Sequence, residues 1–430
     1  MSRRVLLLAT KDTIAYRTGS VATGAELLAA ARAADTDATR EAEANPRPDA
    51  ARGDAARGLD AISGTDSARG DAPHGLDAIS GTGSARGDTT HGLDSTSGTD
   101  SARGDAPHGL DAISGTDSAH GDTTHGLDST SGTDAARGTD ASPGDDSAGG
   151  VDVVVEDVLA EPGWDASPAT MAATARRVRA ALGEEGFHGV VVTHGADTIE
   201  EAAYLTDLVA GAAAARGAIV YTAALLPLDA PDSDGPGNLA AALTAAADPA
   251  LTGLGAVACL DGELHAARWV RQAATSGPGA FTSAPYAPLG RVTGGRITLT
   301  GAPPPRPPSP PGEPETNVAL IRVYPGIEPT LLTAATDAGA RGIVLDGTGA
   351  LNVPVSLLAA ITDLVAWDIP VVVASRAHAT APPRPPDGLA ASVGAILAPG
   401  LTAGKALAAL MVALGAEGGV AAARDYFARA

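Results

Sequence analysis

Two apolar runs in this 430-residue chain lead directly into residues able to do chemistry. The first, "LLLATKDTIA" over 6–15, brings Thr10, Lys11, Asp12 and Thr13 to the end of an aliphatic stretch. The second, "VVVTHGADTIEEAAYLTDL" over 190–208, does the same with Thr193, His194 and Asp197, with an inert alanine, Ala196, immediately before the carboxylate. A threonine hydroxyl attacks a carbonyl once a base takes its proton. A carboxylate at such an exit can hold a cationic group or help to move a proton. Both residue types also have ordinary uses. Thr13 can close a strand through a local bond from its hydroxyl to the backbone, and Asp197 can cap the helix that Glu200 and Glu201 begin. His194, in the turn between, reads as a residue that orients the backbone rather than one that reacts.

Such residues need elements that bring two strand exits together. The flanking pattern predicts strand Val5–Ala9, helix Ala25–Ala34, strand Val151–Val155, helix Pro168–Leu182 with Ser167 as N-cap, strand Gly189–Thr193, helix Glu200–Ala213 and strand Gly217–Thr222. Continuous apolar strands separated by helices imply a parallel sheet covered on both faces. Ligands of such sheets gather at the carboxyl ends of the strands, where Thr10–Thr13 and Thr193–Asp197 both fall. The expected fold class is α/β, a larger N-terminal parallel-sheet domain with helices on both faces and a smaller C-terminal α/β domain.

The N-terminal domain is expected to be split, 1–34 and 151–300, by an insert at 35–150. That insert holds 22 Asp/Glu against 8 Arg, so it carries −14 of the formal charge of −22. Five copies of a 17-residue unit, first "ARGDAARGLDAISGTDS", run over 51–135. Each copy offers a Leu and in some cases an Ile for burial, too little to offset ordering entropy, so the insert is expected to be disordered. Its four "RGD" tripeptides are copied with the unit, and its dispersed "HGLD" histidines are a weak metal signal. Closing 116 residues instead of about six costs only roughly 2.5 kcal/mol by the logarithmic loop law.

Composition excludes several classes. The single cysteine, Cys259, rules out an intramolecular disulfide framework and reads as a buried strand residue. The apolar run after the first two arginines stops at Ala9, too short for a signal-peptide core. No run reaches the roughly 18–20 apolar residues of a membrane span, so no membrane partner and a cytoplasmic location are expected. No basic stripe exists to neutralise phosphates, which excludes nucleic acid as a partner.

The segment "GAPPPRPPSPPGEPET" at 301–316 is an extended, semi-rigid linker and the expected boundary of the second domain, 317–430. Beyond it "VALIRVYPG", "EPTLLTAATDAGA", "RGIVLDGTGALNVP" and "IPVVVASR" repeat the strand, turn and helix order, and the chain closes with "LTAGKALAALMVALGA".

The two quoted exits, with "SDGPGNL", "YAPLG", "YPG", "DGTGALNVP" and "VVVASR", occur in the order and spacing of bacterial-type L-asparaginases. The chain resembles that family over both folded parts, everything but the insert. Residues 193–201 resemble the family's "THGTDTMEE" and the first exit its "ATGGTIA". The resemblance implies hydrolysis of the side-chain amide of L-asparagine, and often of L-glutamine, to the acid and ammonia. It implies no cofactor and no metal. It also implies assembly as a homodimer or homotetramer, with sites between one protomer's large domain and its neighbour's small one. Carried over by position, Thr13 is the nucleophile, and Asp197 binds the substrate's α-ammonium and belongs to the proton-handling cluster. Gly163 and Trp164 in "EPGWD", and Asn352, fall at substrate-binding positions. Several family residues are replaced. The threonine before the aspartate is Ala196, and the lysine nine residues before Phe281 is Gln272, which cannot act as a base at neutral pH. The adjacent Arg271 stays protonated. The glycine pair before the nucleophile is Lys11-Asp12, Gly163 stands at a family serine, and Leu351 stands at the glycine before Asn352. Tyr16 is the only tyrosine near the flexible-loop position. With Lys11 and Lys405 the only lysines, no simple substitute for the missing amine is expected near the site, although Lys11 is two residues from Thr13. Two functions follow: an impaired asparaginase-type amidohydrolase, or a non-catalytic relative that binds an amino acid or serves as an assembly partner.

Overall fold

The computed structural model describes residues 2–10, 13–17, 20–44, 150–158, 162–308, 312–377, 388–415 and 418–429. The repeats at 51–135, with the rest of 45–149, lie outside the described residues, as do Lys11 and Asp12. In the N-terminal lobe the chain runs through β1 (Arg3–Ala9), a short ribbon of β2 (Tyr16–Arg17) and β3 (Ser20–Val21), α1 (Gly24–Ala44), β4 (Val151–Asp157), α2 (Pro168–Gly183), β5 (Gly189–Thr193), α3 (Ile199–Ala210), β6 (Ala218–Thr222), α4 (Gly235–Ala247), β7 (Ala256–Leu260) and β8 (Glu263–Ala266). A second ribbon pairs β9 (Arg271–Gln272) with β10 (Phe281–Thr282), and β11 (Gly290–Thr293) and β12 (Arg296–Leu299) end the lobe.

One sheet of order β12-β11-β8-β7-β6-β5-β1-β4 organises this lobe. Its two faces follow from the two-residue period of a strand. In β1, Leu6 and Leu8 join Val178 and Leu182 of α2 and Ile199 and Leu205 of α3 on one side. Val5, Leu7 and Ala9 join Leu27 and Ala31 of α1 and Leu239 and Ala242 of α4 on the other. Helices therefore cover both faces, as the unbroken apolar strands require.

The expected all-parallel sheet holds for β4, β1, β5, β6 and β7 and not for the rest. β8, β11 and β12 pair antiparallel, β8 with β7 and β12 with β11 through tight turns, and β11 with β8 after the longer connection that carries β9 and β10. Asp261-Gly262 between β7 and β8 adopts φ of 51° and 70°, and Gly294-Gly295 between β11 and β12 adopts 54° and 68°. Two successive left-handed residues give the hairpin turn whose twist matches the flanking strands.

Helix ends are built locally. Ser167 accepts from the Thr170 N–H at 3.1 Å, the cap expected for α2. α1 starts with a reciprocal pair: Glu26 Oε2 accepts from Thr23 N–H at 2.7 Å, and Thr23 Oγ1 accepts from Glu26 N–H at 3.3 Å. It runs to Ala44, past residue 35 where the insert was expected to begin. The predicted helix 200–213 is instead α3 followed by a 3-10 turn, Gly211–Ala215.

The C-terminal lobe contains β13 (Val318–Arg322), α5 (Thr330–Asp337), β14 (Gly342–Gly347), α6 (Leu358–Ala366), β15 (Val371–Ser375), α7 (Leu389–Ser392), β16 (Ile396–Leu397), α8 (Ala403–Leu414) and α9 (Val420–Phe427). Its four strands form a parallel sheet, β13-β14-β15-β16. α8 links the lobes, since Leu410 and Met411 share one core with Leu205 and Leu208 of α3 and with Val344 and Val372 of the small sheet. The proline-rich segment is fastened alongside: Arg306 Nη1 lies 3.4 Å from the buried Asp207 of α3, and Glu315 N–H donates to the Met411 carbonyl at 2.8 Å.

Candidate active site

The carboxyl ends of β1 and β5 are pinned to each other. Thr10 N–H donates to Thr193 Oγ1 at 2.8 Å, and Thr10 Oγ1 donates to the Thr193 carbonyl at 2.6 Å. This buried pair holds the end of β1 beside the end of β5, from which the turn to Asp197 starts. Thr13 opens a one-turn 3-10 helix, Thr13–Ala15, while its side chain and that of Tyr16 lie outside the described residues.

After β5 the backbone is turned by His194, whose N–H donates to the Thr222 carbonyl at 2.9 Å and whose Nδ1 sits 3.0 Å from the Gly195 carbonyl. The ring is buried, which fits the orienting role expected of it. Ala196 is also buried and packs into the core on the α3 side of the sheet. Asp197 is exposed to solvent. The reading of Asp197 as helix cap does not hold: Thr198 occupies the N-cap position of α3. The Thr198 hydroxyl is turned away from the helix and donates to the Gly163 carbonyl at 2.7 Å. That bond brings the Gly163–Asp165 turn against the start of α3, with Gly163 buried and Trp164 58% exposed.

Gln272 reaches the same place from the other side. Its N–H donates to Glu200 Oε1 at 2.8 Å, so β9 is tied to the first turn of α3. The structure thus brings Gly163, Trp164, Ala196, Asp197 and Gln272 together around one helix start. Asn352 is not among them. It is exposed in the turn after β14, where it and Thr348 exchange backbone bonds of 2.8 and 2.9 Å. Leu351 before it takes a left-handed φ of 64° with its side chain buried.

Sequence reasoning missed Lys405 and took it to be remote. The structure corrects this: Lys405, 1% exposed in α8, donates from Nζ to the Val270 carbonyl, and Nζ lies 3.5 Å from Glu200 Oε2. Burial lowers its pKa, against the pull of Glu200 and Glu201. Beside it, burial and then the neighbouring Glu200 push the Glu201 carboxyl up to about 7. Glu201 Oε2 has no hydrogen-bond partner among the described residues. The available signal was the helical period of "LTAGKALAALMVAL", which puts Lys405 among the buried alanines of α8.

The motif "SDGPGNL" opens α4, with Asp234 at its N-cap position, and ties the segment after β6 to it. Asp234 accepts from the N–H groups of Leu225 and Leu226, and Asn238 donates to the Ala223 carbonyl at 3.0 Å and accepts from Asp261 N–H at 2.9 Å. A cavity of about 310 Å³ opens there, bounded by Leu226, Asn238, Asp261 and Phe281, the last being the cross-strand neighbour of Gln272. A second hydroxyl–imidazole pair, Ser283 Oγ to His265 Nδ1 at 2.8 Å with Glu263 3.6 Å from Nε2, has the residue types of a nucleophilic triad. Both Ser283 and His265 are 1% exposed, so the pair ties β8 to the segment after β10 and offers no attacking group to a substrate. Cys259 is buried as expected, with its thiol pushed up to about 12 by burial. Among the described residues no His, Cys, Asp and Glu gather as a metal site, and no helix is long and apolar enough to cross a membrane.

Comparison with known proteins finds two family models. "Asparaginase, N-terminal" matches residues 111–305 and "Glutaminase/Asparaginase C-terminal domain" matches 317–427. The first match begins after β1 and α1. The chain is 34% identical over 263 residues to the probable L-asparaginase of Deinococcus radiodurans, covering 59% of this chain and 78% of that protein. It is 30% identical over 194 residues to the probable periplasmic L-asparaginase of Haemophilus influenzae, covering 44% of this chain and 55% of that protein. The crystal structure of a probable cytoplasmic L-asparaginase from Campylobacter jejuni superposes with a TM-score of 0.58 at 24% identity, covering 65% of this chain and 90% of that one, a likeness of fold.

Proposed function

The chain belongs to the asparaginase family, and from that premise we propose that it is an L-asparaginase-like amidohydrolase with an impaired proton relay. The observation that carries the reading is the joining of two strand exits at one carboxyl edge, β1 to β5 through Thr10 and Thr193, with Asp197 exposed beside them. In this reading the Thr13 hydroxyl attacks the side-chain amide carbonyl of asparagine, ammonia leaves, and water releases aspartate from the acyl-enzyme. Asp197 holds the α-ammonium, and the Gly163-Trp164 turn flanks it. L-Glutamine is the second substrate to test. We extend the proposal to a cytoplasmic homodimer or homotetramer in which the small lobe of one copy, with Asn352, completes the site of the next. The insert is proposed to lie outside the catalytic fold.

Impairment follows from what the relay lacks. Ala196 has no hydroxyl and Gln272 no amine, and general acid–base groups typically contribute about 10²–10⁴-fold each. Ammonia release from asparagine by the purified protein tests this: slow turnover is expected, and a typical rate of about 10 s⁻¹ would remove the impairment. The same two replacements favour a second reading, a non-catalytic amino-acid binder. Calorimetry with aspartate separates the two. Affinity without turnover is the binder's signature, and in either case Asp197→Asn should weaken binding. Equal affinity of wild type and variant would refute the role of Asp197.

A further inference from the structure

We propose that Lys405, in the C-terminal lobe, is a positioning residue for the N-terminal site, acting through Glu200 and the backbone of β9. The proposal deepens the functional reading and rests on it for the meaning of the site, because the elements that Lys405 holds are those bearing Asp197 and Gln272. One carboxylate sits at the centre. Glu200 Oε1 accepts the Gln272 N–H at 2.8 Å, and Glu200 Oε2 lies 3.5 Å from Lys405 Nζ. The same ammonium binds the carbonyl of Val270, two residues before Gln272. α8, the first turn of α3 and β9 thus meet at a single ion pair.

β9 is two residues long and pairs with the two-residue β10, while the buried Val270 before it and Phe281 opposite it join the main core. A two-stranded ribbon by itself is marginal in water, so its placement depends on contacts of this kind. Glu200 fixes it against α3, and Lys405 fixes the rotamer of Glu200. The charged groups facing Lys405 are Glu200, Glu201 and Arg271. Replacing the whole ion pair by apolar side chains of similar volume is often neutral or stabilising, whereas removing Lys405 alone leaves the Glu200 carboxylate without its partner and is destabilising. The pair as a whole is therefore weak evidence of stabilisation, and the geometry it imposes on Glu200 and β9 is the better account of its presence.

The test uses the full-length protein with Lys405→Met and Glu200→Gln, read by hydrogen exchange of the 268–274 and 189–193 segments and by aspartate calorimetry. Loss of the ion pair should speed exchange at 268–274 at least about tenfold in both variants while β5 keeps its protection. Aspartate affinity should fall by about tenfold, with the double variant no worse than the worse single one. A general structural defect would instead lower protection in β5 as well, and that outcome overturns the proposal. So does unchanged exchange at 268–274. If Lys405→Met does not fold, Glu200→Gln, which keeps the size of the side chain, carries the same exchange criterion. A wild type that neither binds aspartate nor releases ammonia sinks the functional reading, and the exchange criterion still decides the positioning claim.

Discussion

Ala196 and Gln272 flank the start of α3 from two directions, one through the turn after β5 and the other through its bond to Glu200. A hydroxyl and an amine restored at these positions would re-enter one proton relay. Ala196→Thr with Gln272→Lys should therefore raise asparaginase turnover at least about 10²-fold, and each single change should do little, because groups acting as a unit are non-additive. Reverting Lys11 and Asp12 to glycine in the same background tests whether side chains there obstruct the amide. Glu201 gives a second expectation at this scale. Its carboxyl titrates near 7 in the folded protein and near the ordinary 4.5 when exposed, so the folded state holds the proton more tightly. The associated stability is present below about pH 4.5 and is lost as pH rises through 7. Glu201→Gln should flatten that decline and be more stable than wild type at pH 8 by on the order of 2 kcal/mol, measured by urea unfolding across pH 4–8.

β5 is the element on which the site depends, and its first residue shows how closely it is packed. A Cβ on Gly189 would sit 2.1 Å from the Ala246 carbonyl oxygen of α4, a rigid backbone atom. Gly189→Ala must push α4 off the sheet, so we expect a loss of about 2–3 kcal/mol, the range for overpacking, seen as a lower urea midpoint. Loss of aspartate affinity should accompany it, since a shifted β5 moves Asp197 as well.

At the scale of the molecule, α1 and β4 lie near each other although residues 45–150 separate them in sequence. Val5 lies opposite Val153 in parallel register, and Asp35 and Val151 line one small cavity. A short connection can therefore replace what intervenes. Deleting residues 36–149 behind a brief Gly-Ser linker should leave a folded protein with unchanged oligomeric state, judged by cooperative thermal unfolding and by sedimentation. Insoluble or non-cooperative product would place the segment inside the fold.

Local pattern determined much of this protein. The unbroken apolar runs predicted the central strands, Ser167 predicted the start of α2, and the residue types at the ends of β1 and β5 marked the candidate site. Each is a property of neighbours in the chain, governed by strand period, helix capping and burial. The two hairpins of the antiparallel edge were written in Asp261-Gly262 and Gly294-Gly295, each a signal only two residues long, whereas the pairing of β11 with β8 was a tertiary matter. The Thr198–Gly163 bond, the Asp207–Arg306 pair and the approach of Lys405 to Glu200 were decided by tertiary structure alone. Those partners are brought together by the register of the sheet and by the packing of α8 on α3. No periodicity within either segment encodes which distant side chain will fill the other end of a buried charge.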